Sequence, residues 1–308
     1  MRFRSCAKLN LHLEVLRRRA DGYHDLRTVF QTIDLADEIL LATTAAPGIS
    51  LAIEGQDLPC DRRNLAWRAA EAFLARYGGL PGGRGLHIGL VKRVPAGGGL
   101  GGGSANAATV LIGLARLAGR EPFAGDFARD LAGLGAGLGA DVPFFLVGGV
   151  ALGHGRGDRI EPLADAAVAA PPAGALWLAL PPYGLPTAEV FARCAPRGES
   201  TPAPALERAR RGGPVEWEEL VGVNDLEEAA FGLRPGLGAL YTELVRSGAR
   251  RVRMSGSGST LFALFDESAR ARALADFLPS GTGWMLVSTL DRAAWRRAGG
   301  FDSSVGGS

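Results

Sequence analysis

The chain has 308 residues, 47% of them hydrophobic and 21% charged, which is an ordinary globular composition with length for two domains and a sizeable core. Lys and Arg total 34 against 32 Asp and Glu, and the densest basic run, Arg17-Arg18-Arg19, leads directly into Ala20-Asp21-Gly22, so no nucleic-acid surface is indicated. Cys6, Cys60 and Cys194 are too few and too scattered for a disulfide framework or a zinc site; with no apolar signal core at the start, they lead us to expect a cytoplasmic protein without a membrane partner.

From Phe3 to Val15, Leu9, Leu11, Leu13 and Val15 alternate with Lys8, Asn10, His12 and Glu14, which predicts a half-buried strand with one polar row. By spacing alone Lys8 is an edge charge that discourages strand pairing. Ala20-Asp21-Gly22 is turn chemistry, and it sets Tyr23 and His24 side by side after it. Loose alternation from Ile39 to Ile53 around Pro47-Gly48 predicts a hairpin. Asn64 precedes an amphipathic helix carried by Leu65, Ala69, Ala70, Phe73 and Leu74 and suits its cap. Leu86, Ile88 and Leu90 alternate in a further strand, and Lys92 beyond it is either a solvated strand-end charge or a contact to adenine or phosphate.

Next comes Pro95 to Asn106, PAGGGLGGGSAN, with six glycines between Gly97 and Gly103 interrupted only by Leu100. Backbone without Cβ atoms can adopt positive φ and approach a ligand closely. Ala107, Leu111, Leu114, Ala115 and Ala118 follow at helical spacing, with Ser104 in the first turn or at the cap. Unpaired N–H groups and the positive end of the helix dipole then face the loop, and phosphate is the expected guest. Gly97, Gly99 and Gly102 also satisfy GxGxxG, with Glu121 as the acid, but Gly119 to Pro122 stops a helix and Phe123 to Leu134 is again helical, not extended. No Lys follows the glycines as a P-loop requires, and a flexible linker would not be flanked by patterned elements. Val94 to Ala115 is uncharged over 22 residues, yet its proline and glycines would leave backbone unpaired in lipid.

Asp141 in Gly139-Ala-Asp-Val-Pro-Phe-Phe145 sits two residues before Pro143, a position that suits the cap of a short helix. A short apolar strand, Leu176 to Leu180, ends in Pro181-Pro182-Tyr183-Gly184, with Pro186-Thr187 beyond it. Residues 193 to 214, rich in Pro, Arg and Gly, suggest a mobile surface excursion, and Asn224-Asp225-Leu226-Glu227 starts a helix. A second glycine-rich loop, Arg253 to Ser259, stands before a strand from Leu261 to Phe265. A helix over Glu267 to Phe277, a strand over Trp284 to Leu290 and a disordered tail over 299–308 complete the prediction.

AKLN at 7–10, DGYH at 21–24, PAGGGLGGGS at 95–104, GADVPFF at 139–145 and MSGSGS at 254–259 together resemble the motifs of the GHMP kinases. These are small-molecule kinases named for galactokinase, homoserine kinase, mevalonate kinase and phosphomevalonate kinase. DGYH resembles the branch that acts on a cytidine diphosphate alcohol. The resemblance implies an α+β, two-lobed fold: an N-terminal lobe like ribosomal protein S5 domain 2 over 1–150, a ferredoxin-like C-terminal lobe over 151–298, and the active site between them. It implies ATP and Mg²⁺ as cofactors and phosphorylation of the 2-hydroxyl of 4-diphosphocytidyl-2-C-methyl-D-erythritol, in the methylerythritol phosphate route to isoprenoids. Homoserine or mevalonate specificity, or an idle nucleotide-binding protein, are the alternatives.

By the same resemblance Asp141 is the general base and Lys8 lies at the reacting hydroxyl, with Asn10 beside it. Tyr23 and His24 hold the cytosine, Tyr183 supplies a second aromatic wall, and Thr187 joins the substrate side. Pro95, Ala96, Gly97, Gly98, Gly99, Leu100, Gly101, Gly102, Gly103, Ser104 and Ala105 carry ATP phosphates, Lys92 and Asn64 lie near the nucleotide, and Ser104 is a metal ligand. Asn106 stands where many relatives carry Asp, and an amide is the weaker Mg²⁺ ligand.

Overall fold

Strands β1 (Arg2–Arg18) and β2 (His24–Thr44) pair antiparallel along the whole length of β1 in the computed structural model, which describes residues 1–80, 83–266 and 278–302. On its other side β2 pairs with β4 (Gly85–Val91) near one end and β5 (Val150–Gly155) near the other. β3 (Ile49–Glu54) lies parallel to β4 at the edge. The expected hairpin of Ile39 to Ile53 therefore does not form, because β4 is inserted between its two arms. The more apolar strand takes the interior: Leu86, Ile88 and Leu90 are all buried, whereas β3 keeps an exposed row. β6 (Arg159–Pro162) pairs with β5, so the first sheet runs past residue 150, where the sequence suggested a change of lobe.

Helices α1 (Leu65–Tyr77), α2 (Gly102–Leu117), α3 (Gly125–Leu138) and the short α4 (Val142–Phe145) belong to the core on one side of this sheet, with Phe3, Ile39, Phe73, Leu111 and Phe144 at its centre. A second core joins the lobes: Leu9, Leu11, Val29 and Ile33 meet Leu178, Trp217, Phe262 and Val287. Consequently β1 is buried on both faces, and Lys8, Asn10, His12 and Glu14 are all enclosed, unlike the half-solvated strand that alternation predicts.

Beyond β7 (Val168–Ala169), the second lobe is an antiparallel sheet of β8 (Leu176–Leu180), β10 (Arg251–Met254), β11 (Leu261–Leu264) and β12 (Gly283–Val287) in the order β10-β11-β8-β12. Trp177, Ala179 and Phe265 pack with residues of α5 (Thr187–Arg193), α7 (Glu227–Leu233) and α8 (Pro235–Arg246). The 193–214 stretch is held down: Arg197 and Gly198 N–H groups bond the carbonyls of Val15 and Leu16 at 2.8 and 3.0 Å, and α6 (Pro204–Arg210), next to β9 (Val215–Glu216), buries Leu206 and Ala209. Helix α9 (Arg292–Gly299) returns to the first lobe, where Trp295 and Phe301 join the core with Phe3. Phe301 is 1% exposed, so the disordered tail predicted from 299 does not begin there; burying such a ring stabilises by about 1.5–3 kcal/mol, which a Gly- and Ser-rich composition conceals. The helix predicted over 267–277 lies outside the described residues, as do 303–308. Among the described residues no helix is long and apolar enough to cross a membrane.

Candidate active site

A cleft of about 1150 Å³ opens between the lobes. Lys8, Asn10, Tyr23, His24, Asn64, Lys92, the run from Pro95 to Ser104, Asp141 and Thr187 line it. Of the polar row on β1, only Lys8 and Asn10 reach the cleft. The register of β1 against β2 shifts between Asn10 and His12, so the next lining residue is Leu13. A β-bulge of this kind re-aims the side chains that follow it. Glu14 instead accepts from Arg27 Nη1 at 2.8 Å, with His12 Nε2 3.4 Å from the same carboxylate.

Lys8 is 3% exposed, and its Nζ donates to the Gly99 carbonyl at 2.8 Å and to Asn10 Oδ1. Asp141 Oδ2 lies 3.6 Å from the same nitrogen. Burial pushes the Lys8 ammonium below its usual pKa, and the Asp141 carboxylate opposes that shift. Asn10 is oriented by donating Nδ2 to Thr28 Oγ1 at 2.7 Å, while the Thr28 hydroxyl donates to the His12 carbonyl at 2.7 Å. Asp141 stands at the start of α4 with Pro143 in the first turn, but its side chain makes no capping bond. The carboxylate faces the ammonium across the cleft instead.

The glycine loop adopts φ of +71° at Gly97, +78° at Gly99 and +70° at Gly101. At Gly99 a Cβ would come within 2.0 Å of the Ser255 carbonyl, and at Gly101 within 2.7 Å of the Phe145 ring. The carbonyls are pinned from behind. Gly97 O accepts from Leu185 N at 3.3 Å, Gly98 O from Thr260 N at 3.1 Å and Leu100 O from Lys8 N at 3.1 Å. Gly99 O accepts from Ser255 Oγ at 2.9 Å as well as from Lys8. Ser104 lies in the first turn of α2, whose N-terminus has no side-chain cap, so the N–H groups of Gly102, Gly103 and Ser104 are left for a ligand. Ala105 is buried under the loop and does not line the cleft.

Asn64 caps α1 through Oδ1 to Ala66 N at 2.9 Å, and its Nδ2 donates to the Pro59 carbonyl at 3.0 Å. Lys92, expected as a solvated charge or a nucleotide contact, is 6% exposed and paired with the fully buried Asp37. In the second glycine-rich loop Asn224 Nδ2 donates to the carbonyls of Met254 and Gly256, both at 2.8 Å. Asn224 thus braces the loop that in turn braces the first.

At the other end Tyr23 is 55% exposed, with the Arg156 guanidinium 5.1 Å from its ring centre. Asp158 holds Arg156 through bonds of 2.9 and 2.7 Å. His24 stacks on Phe191, centroids 5.3 Å apart at 25°, and burial followed by the Arg18 charge lowers its pKa. Thr187 Oγ1 lies 3.0 Å from Ser257 Oγ. Tyr183 does not line the cleft: its ring lies 5.6 Å from the Arg234 guanidinium and its carbonyl accepts from Ser259 Oγ. The PPYG turn carries the chain past the cleft, and the aromatic that faces it is Phe191, one helix later. Phe191, Arg156 and Asp37 were not singled out from the sequence; only the aromatic on α5, soon after the proline turn, offered a local signal.

The family model described as GHMP kinases N terminal domain matches residues 64–149, and that described as GHMP kinases C terminal matches 203–281. The chain therefore belongs to the GHMP kinase family. Within it, the chain is 39% identical to the 4-diphosphocytidyl-2-C-methyl-D-erythritol kinase of Geobacter sulfurreducens, covering 88% of this chain and 92% of the relative. The kinase of the same name from Moorella thermoacetica is 41% identical over the same shares. A crystal structure of 4-(cytidine 5'-diphospho)-2C-methyl-D-erythritol kinase superposes with a TM-score of 0.72 at 37% identity, covering 94% of this chain and 99% of the other. A homoserine kinase from Cytophaga hutchinsonii, 20% identical with a TM-score of 0.63 and covering 94% and 96%, shares the fold.

Proposed function

We propose that the chain transfers the γ-phosphoryl group of ATP to the 2-hydroxyl of 4-diphosphocytidyl-2-C-methyl-D-erythritol, giving the 2-phosphate and ADP, in the methylerythritol phosphate route to isoprenoid precursors. The observation that carries the reading is the Lys8–Asp141 pair, 3.6 Å apart beside a glycine loop with open N–H groups. Asp141 accepts the hydroxyl proton as the substrate oxygen bonds to the γ-phosphorus and the bond to the ADP oxygen breaks. Lys8, 3.6 Å from Asp141, stabilises the developing alkoxide. The N–H groups of Gly102, Gly103 and Ser104 and the α2 dipole offset charge on the transferring group.

Among the described residues no group of three or more His, Cys, Asp or Glu side chains is placed to hold a metal ion. Mg²⁺ needs no such cage in a phosphoryl-transfer site, because it binds one or two protein oxygens together with phosphates and water. The Ser104 hydroxyl in the cleft fits that donor set, and the ion supplies neutralisation of phosphate charge. The cytosine lies between Tyr23 and the His24–Phe191 stack, with Phe191 taking the wall expected of Tyr183 and Thr187 at the rim. Asn64 and Lys92 shape the nucleotide side from behind, their polar atoms being engaged by the α1 cap and Asp37.

The test is ADP release from MgATP with the cytidine diphosphate alcohol, homoserine and mevalonate offered separately. Turnover confined to the first supports the proposal. Turnover confined to another alcohol reassigns the substrate, and ATP binding without turnover on any would make this an idle nucleotide-binding protein.

A further inference from the structure

Behind the glycine loop, out of reach of any ligand, β2 carries a carboxylate that receives donors from both ends of the loop. Asp37 is 0% exposed. Its Oδ1 accepts from the backbone N–H groups of Arg93 at 2.7 Å and Val94 at 2.8 Å, immediately before the loop begins at Pro95. Its Oδ2 accepts from Asn106 Nδ2 at 2.8 Å, just after the loop has become α2, and from Lys92 Nζ. Asn106 closes the cluster by donating to Ser5 Oγ at 3.0 Å and accepting from Lys92 Nζ at 3.3 Å.

We infer that Asp37 is a positioning residue, which sets the span of the phosphate loop by tying the residues that flank it on both sides to a single side chain. A buried carboxylate is tolerated only when its oxygens are saturated by donors, and here four donors from four residues of the loop's flanks do so. The two strand-end N–H groups and the amide must therefore sit at fixed places relative to β2. The open N–H groups of Gly102 to Ser104 inherit that placement, since Asn106 is in the next turn of the same helix.

The cluster also explains the amide at 106. Its Nδ2 points at the Asp37 carboxylate, so an aspartate there would set two carboxylates against one ammonium. Asn106 is thereby committed to Asp37, Ser5 and Lys92 and serves as a fastening of the loop, not as a metal ligand. The inference rests on the assignment of the loop to ATP phosphates.

Four variants test it: Asp37→Asn, Asn106→Ala, Asn106→Asp and the double variant Asp37→Asn with Asn106→Ala. For each, the KM for ATP and for the cytidine diphosphate alcohol are measured, with MgATP affinity by titration calorimetry and folding by thermal melt. Asp37→Asn should raise the KM and Kd for ATP about ten-fold or more, because bonds to a charged acceptor are lost and the loop termini are released, while the KM for the alcohol stays within about two-fold. Asn106→Ala, which leaves the Asp37–Lys92 pair in place, should shift ATP in the same direction by less, and Asn106→Asp by more than Ala. Asp37→Asn combined with Asn106→Ala should exceed Asp37→Asn alone by no more than about two-fold, since both cut the same tie. Unchanged ATP affinity in folded Asn106→Ala and Asn106→Asp, or equal rises for both substrates, overturns the inference. If the wild type binds MgATP but does not phosphorylate the alcohol, the functional reading fails while the calorimetric comparison still decides this one.

Discussion

Replacing Asp141 with Asn removes one charge and almost no volume. At 3.6 Å and an effective dielectric of about 20, the gross attraction between Asp141 and Lys8 is about 5 kcal/mol. Asp141 is 33% exposed, so solvent screening reduces the net worth of the pair to about 1 kcal/mol. Lys8 keeps its bonds to Gly99 and Asn10, so the variant should fold. What it loses is the proton acceptor, and general-base catalysis contributes about 10²–10⁴ in rate. We therefore expect kcat to fall by about that factor in single-turnover and steady-state assays, while the Kd for MgATP measured by calorimetry stays within about three-fold. Retention of more than about a tenth of wild-type kcat would remove Asp141 from the base role, and a large loss of ATP affinity would make its role one of binding.

Tyr23→Ala and Phe191→Ala should each raise the KM for the cytidine substrate by about 5- to 150-fold, from loss of about 1–3 kcal/mol of stacking, and leave the KM for ATP alone; an unchanged value for either removes that ring from the pocket. Gly99→Ala should lower stability by at least about 2 kcal/mol, because its Cβ would meet the Ser255 carbonyl at 2.0 Å with φ at +78°. Gly103→Ala, with only Leu65 at 3.6 Å, should melt as the wild type does; similar melting of the two variants contradicts the packing argument. Burial lowers the pKa of His12, against an opposing pull from Glu14, and of His24. A histidine held neutral by the fold contributes fully above its unfolded pKa near 6.5, and its contribution declines as the unfolded chain begins to bind the extra proton below that pH. Unfolding free energy should therefore decline below about pH 6.5, and His12→Gln should flatten the decline; an identical slope in the variant would rule out His12 as a cause.

Much of the site was legible because its chemistry is local in sequence. A strand, a glycine run and a helix in immediate succession can be read from periodicity and from the absence of Cβ atoms, and α2 begins at Gly102 as that reading requires. The capping Asn64 was equally readable, since its partner Ala66 is two residues away. What was not legible depends on pairings between distant segments. Nothing in spacing brings Lys8 to Asp141, and only the motif resemblance paired them. The bulge after Asn10 arises from the register against β2, which alternation along β1 alone does not contain. β4 displaces β3 from the side of β2 because it can bury a full apolar row, a competition decided in three dimensions. Tyr183 and Phe191 are both aromatics near a proline turn, and which one faces the cleft is settled by how α5 packs. Asp37 gives no sequence signal at all, because its four donors come from residues 92 to 94 and 106.

The central claim is tested most directly by ³¹P NMR of the purified protein incubated with MgATP and 4-diphosphocytidyl-2-C-methyl-D-erythritol. The account predicts a new phosphomonoester resonance that grows in step with ADP while the cytidine diphosphate signals keep their intensity. No monoester, or one that forms only when homoserine or mevalonate is supplied instead, would contradict it.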